Sequence, residues 1–157
     1  MRASAVPDIL AAEAAIPSAG LANAEVRLGD VPGLSSGDYF CAGVVDPGAT
    51  NATSAATSTV TWHGIQLSEG FDEAGNVAIA IWSKNGSSDL AEVINNAYAV
   101  LDAHQAYLAA HYTNNQFLGV SGLWDYHLAS TELQTFPDPA GCTAYLLVQY
   151  AFQALTI

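Results

Sequence analysis

The sequence predicts an α+β domain: a mainly antiparallel sheet, with an N-terminal helix and one long helix packed on one face. Three observations lead there. Residues 76–83 alternate, with Val77, Ile79 and Ile81 on one side and Trp82 on the other, as in a sheet strand. From Asp89 onward, apolar residues return every three or four positions, the period of a helix buried along one stripe. The other apolar runs have strand length, giving the order α-β-β-β-β-α-β-β without the strand–helix alternation of a doubly wound nucleotide-binding fold.

Each element has a local reason. Ser4 can cap a short helix that tolerates Pro7 in its first turn and turns Val6, Ile9, Leu10 and Ile16 inward. Pro17, Ser18, Ala19 and Gly20 end it. Residues 25–28 form a brief strand, residues 29–38 are turn material, and residues 39–45 read as a buried strand closed by Asp46, Pro47 and Gly48. Residues 49–59 are small, polar and patternless, so 47–59 is expected to be a mobile loop or a hairpin tip. A strand follows at 59–67, and Phe71, Asp72, Glu73, Ala74 and Gly75 read as a turn, with the two acids solvated. The long helix carries Leu90, Val93, Ile94, Ala97, Tyr98, Val100, Leu101, His104, Tyr107 and Leu108 on its stripe and ends at 112–115. Strands at 118–133 and 143–155 complete the sheet, with Val120, Gly122, Trp124, Tyr126 and Leu128 expected on one face of the first.

Composition excludes several functions. At 157 residues the chain has the length of a single domain, one that buries roughly 70% of its unfolded surface. Fifteen acids against three bases (Arg2, Arg27, Lys84) give a net charge of −12, which repels nucleic-acid phosphates and anionic membranes. No apolar run reaches the roughly 18 residues of a membrane span. Residues 1–22 lack a signal-peptide core because Asp8 and Glu13 interrupt them, so the two glycosylation sequons, at Asn51 and Asn85, are taken as chance. Cys41 and Cys142 fall in strands as small buried residues, without a second metal ligand at binding distance in sequence.

The search for chemistry yields little. His104 lies on the apolar stripe and reads as a hydrogen-bonded core residue; His111, two turns on, suits a helix C-terminus. Asp125 and His127 alternate onto one strand face, the arrangement of a dyad or half a metal site. Residues 84–88, Lys-Asn-Gly-Ser-Ser, raise the question of a phosphate cradle. A single glycine, with the lysine ahead of it, fits a turn and helix cap better. No catalytic residue, cofactor site or metal site is assigned.

The layout resembles the tail terminator (tail completion) proteins of long-tailed bacteriophages, the lambda-type family. The resemblance is carried by "VRLGDVP", "YFCAGVVD", the strand-to-helix unit "NVAIAIWSKNGSSDLAEVINNAYAVLDA" and the final "TAYLLVQYAFQAL". It implies a single tail-terminator-like domain over 1–157 and a structural virion protein rather than an enzyme. Such a protein forms a homo-oligomeric ring, usually a hexamer, which caps the tail tube and joins it to the head-completion or connector protein. Genomic DNA passes through its channel without sequence-specific binding, and assembly takes place in the host cytoplasm. Lys84, Trp62 and Phe71 are the residues expected at subunit contacts. Another head–tail connector, head-closure or minor tail protein is the nearest alternative. A small soluble enzyme or ligand-binding domain built on Asp125 and His127 is the alternative from a different class.

Overall fold

A computed structural model describes residues 4–29, 36–44, 54–62, 70–87, 89–138 and 141–156. The fold is α+β. Helix α1 (Val6–Ala14) leads through a 3-10 turn (Ser18–Leu21) to strands β1 (Glu25–Leu28), β2 (Gly37–Ala42), β3 (Ala56–Trp62) and β4 (Phe71–Asn85). Helix α2 (Leu90–Ala110) then precedes the long strands β5 (Leu123–Asp138) and β6 (Gly141–Thr156). The sheet order is β1-β2-β4-β6-β5, with β3 also pairing β4. All pairs are antiparallel except β1 and β2, which are parallel, so the sheet is mixed at that edge. β2 takes the second half of one edge of β4, and β3 takes the first half.

The alternation in β4 decides where the core sits. Val77, Ile79 and Ile81 pack with Phe40 of β2 and with Leu146, Val148, Tyr150 and Phe152 of β6, beneath Ile9, Ile16, Ala97, Val100, Leu101 and Leu108. Each large apolar side chain buried this way contributes roughly 1.5–3 kcal/mol, which holds the two helices on one face; both cysteines are free and buried. A second cluster (Tyr39, Cys41, Val44, Ala80 and Trp82) occupies the opposite face. Tyr98, expected on the buried stripe of α2, is instead partly exposed.

Three further sequence expectations change. Residues 71–75 are not a turn: they open the 15-residue β4, and Glu73 is buried rather than solvated. Its carboxylate accepts from Ser4 Oγ at 2.6 Å and from the backbone N–H of Ala5 at 2.7 Å, satisfying donors at the start of α1. Ser4 therefore acts partly through a strand that is distant in sequence. β3 starts at Ala56, earlier than expected, so part of the 47–59 segment is strand; residues 45–53 lie outside the described residues. Gly75 permits that pairing, since a Cβ there would stand 1.9 Å from the Thr57 carbonyl oxygen. Finally, β5 begins at Leu123 and carries register shifts between Leu123 and Asp125 and between Leu128 and Ser130. These bulges break the simple alternation, so Tyr126 is buried while Trp124 is half exposed.

Candidate functional site

The densest polar cluster is internal. Glu13 of α1, His104 of α2, Tyr126 of β5 and Tyr150 of β6 meet in the core, Glu13 and His104 without solvent exposure. Tyr126 donates to Glu13 Oε1 at 2.5 Å, and His104 Nε2 lies 2.7 Å from Glu13 Oε2. His104 Nδ1 lies 2.7 Å from the Tyr150 hydroxyl, which also receives the Gln105 amide at 2.6 Å. One assignment gives every proton an acceptor. Gln105 donates to Tyr150, Tyr150 donates to Nδ1, and a neutral imidazole donates from Nε2 to Glu13. Burial, and then the Glu13 charge, push the Tyr126 phenol well above its ordinary range, and the same two causes raise Tyr150. Closed to solvent and internally satisfied, this chain ties two helices to two strands and has no free group to offer a substrate.

The apolar stripe of α2 predicts a buried His104, and its side chain is indeed without solvent exposure. Glu13 was not anticipated. The available signal was an acid spaced four residues after Ile9 and three before Ile16, on the buried side of α1.

Asp125 and His127 do share a face. His127 Nδ1 lies 3.0 Å from Asp125 Oδ1, and both side chains are partly exposed. They border an open trough of about 390 Å³ on the helix-free face, walled across β4 and β6 by Thr57 and Thr59 and floored by Ala74, Gly75 and Ala151. Asn76 and Gln153 add amides. The pair is a hydrogen-bonded dyad, but among the described residues no group of three metal-binding side chains exists.

The loop after β4 is a joint. Asn85 Oδ1 accepts from the N–H of Ser87, Ser87 Oγ accepts from that of Asp89, and Asp89 caps α2 by accepting from Glu92 N–H at 3.2 Å. Asn85 Nδ2 also donates to Glu92 at 2.8 Å. The backbone N–H groups of Ser87 and Asp89 are thus engaged in local turns rather than left open as an anion cradle, and Cys142 Sγ donates to the Ser87 carbonyl at 3.5 Å.

The three expected contact residues separate. Lys84 sits in β4, in register with Gly37 and Thr143, half-buried and with no ion pair to any described residue. Phe71 is buried in the sheet, with no surface to offer a partner in the folded chain. Trp62 ends β3 opposite Phe71, and its side chain lies outside the described residues. Two other features were not anticipated. Tyr39, Trp82, Tyr145 and Phe136 form an aromatic row across four strands, with successive centroids 5.7, 5.0 and 5.0 Å apart. Within it, the buried Nε1 of Trp82 lacks a hydrogen-bond partner among the described residues. The second feature is β5, the terminal strand of the sheet, which exposes Trp124, Leu128, Leu133 and Phe136.

No helix among the described residues is long and apolar enough to cross a membrane. Compared with models of known protein families the chain matches none, and no curated protein matches its sequence.

Proposed function

We propose that the chain is a structural virion protein of the tail terminator kind, which assembles into a ring, caps the tail tube and joins it to the head-completion proteins. The observation that carries this reading is the 16-residue edge strand β5, with four large apolar side chains on its exposed length, in a chain of net charge −12. No described strand pairs the outer edge of β5, and a long edge of this kind is an association hazard in a monomer and an asset in an assembly. The negative charge suits a channel through which DNA slides without adhering. The resemblance in layout supplies the specific role, with a hexamer as the expected ring, and the sealed internal network supports a scaffold rather than a catalyst.

Sedimentation or light-scattering mass in solution tests the ring. A strict monomer that also fails to bind tail tubes overturns the reading. Electron microscopy of particles lacking the protein then separates roles: overlong tubes indicate a terminator, whereas normal tails beside leaking heads indicate head closure. A second reading, a small-ligand or hydrolytic site, is favoured only by the Asp125–His127 dyad over its trough. It is supported if His127→Ala abolishes an activity or ligand while leaving assembly intact, and discarded if no such loss is found.

A further inference from the structure

We propose that copies of the chain join by strand addition: residues 130–136 at the outer edge of β5 pair antiparallel with the outer edge of β3 on the next copy. This rests on the ring reading above and assigns the surfaces that close it. Among the described residues the sheet ends at β5 on one side and at β1 and β3 on the other. Each free edge presents unpaired backbone N–H and C=O groups, the template for adding a strand.

Three features select these segments. The first is regularity. The bulges of β5 lie before Ser130, and from Ser130 to Asp138 its register against β6 is unbroken. β3 offers seven residues, the length of 130–136. The second is charge. Copies that each carry −12 repel each other least where acids are sparse. β3 has no charged residue, and 130–136 has only Glu132, whose carboxylate already accepts from the Gln134 amide at 3.1 Å. β1, the competing edge, has four residues and carries the Arg27–Glu25 ion pair. The third is direction. β3, β4, β6 and β5 are successively antiparallel, so β5 runs along β4 and against β3. A neighbour rotated about an axis near the strand direction therefore presents its β3 antiparallel to β5, and the alternation continues.

The pairing is also head-to-tail, joining two different patches, as a ring of more than two copies requires. Through β6, residues 130–136 stand level with 78–84 of β4, whereas β3 stands beside 71–77. Successive copies are thus staggered by about seven residues, ~23 Å at the rise of a strand, a displacement that tilted strands absorb when a sheet closes on itself. Exposed Leu133, Phe136 and Val60 flank the join and lose solvent on assembly.

Two doubly substituted chains test this: Thr131→Asp with Thr135→Asp on β5, and Thr57→Asp with Thr59→Asp on β3, all at exposed positions. Mass is measured for each chain alone and for an equimolar mixture, with circular dichroism as the fold control. Each variant alone should fall from the wild-type assembly to a monomer. The mixture should give a dimer and nothing larger, because one intact β5 edge meets one intact β3 edge. Assembly of the β3 variant alone, or a mixture that stays monomeric, overturns the pairing while a wild-type ring leaves the functional reading standing. A monomeric wild type overturns both. A doublet with an altered spectrum is replaced by the single Thr131→Asp or Thr59→Asp change, read in the same way.

Discussion

Replacing Tyr126 by Phe removes one hydroxyl and keeps the ring, which stacks on Tyr150 with centroids 4.9 Å apart. That hydroxyl donates at 2.5 Å to a carboxylate without solvent contact, and the other oxygen of Glu13 depends on His104 at 2.7 Å. A neutral hydrogen bond contributes about 1 kcal/mol, but one to a charged acceptor contributes about 1.5–3 kcal/mol, and the second case applies here. At roughly 2–4 °C per kcal/mol for a domain of this size, the midpoint should fall by about 3–12 °C. The same change in a Glu13→Gln background should cost only about 0.5–1.5 kcal/mol. There the glutamine oxygen still accepts from Tyr126, its amide donates to His104 Nε2, and the imidazole proton moves to Nδ1, so that Nδ1 donates to the Tyr150 hydroxyl; the acceptor that hydroxyl loses is lost with or without the Tyr126 hydroxyl and cancels from the comparison. Urea unfolding of the four proteins gives the coupling, expected to be about 1 kcal/mol or more. A coupling of zero, or a single-substitution cost below about 0.5 kcal/mol, would refute the picture of a buried charged acceptor held by this phenol.

Alkaline unfolding reads the same network. Both raised phenols contribute stability that is complete below pH 10, the unfolded value, and is lost as pH rises from there through their folded values. Each phenol should steepen the decline by about 1.4 kcal/mol per pH unit, and the Tyr126→Phe/Tyr150→Phe chain should show a flatter profile. Asp89→Ala removes the cap of α2 and should cost about 1 kcal/mol by denaturant titration. Gly75→Ala drives a methyl into the Thr57 carbonyl; it should displace β3 and expose the amides of residues 56–62 to hydrogen exchange, beyond the 1–3 kcal/mol of ordinary overpacking. On the ring reading, Lys84→Glu should weaken assembly by removing one of three bases, and an unchanged assembly mass would show that Lys84 contacts no neighbour.

Element type and order were legible because the periods of two and 3.6 are strong in β4 and α2, where burial is one-sided or complete. The exceptions share a cause: contacts that short-range pattern does not encode. Asp72 and Glu73 look like turn acids until the N-terminus of α1 arrives to use one of them. The bulges of β5 follow from its fit to β6, which the alternation of Val120, Gly122 and Trp124 does not reveal. Among functional candidates, His104 was legible from its place on an apolar stripe, and the Asp125–His127 face from simple alternation. The edge position of β5 was hidden, because strand order is a long-range property. So was the burial of Phe71.

Strand order also has a kinetic side. β6 follows every other strand in the sequence, yet it lies inside the sheet, between β4 and β5. During synthesis β1 to β4 and α2 are made before their central partner exists, so β4 waits with one edge open and half the core unroofed. Pairings this distant in sequence make for slow folding and a period of exposure to misassociation. Productive folding should therefore be concentrated after β6 is complete, and chains stalled before Gly141 should depend on chaperones to remain dispersed.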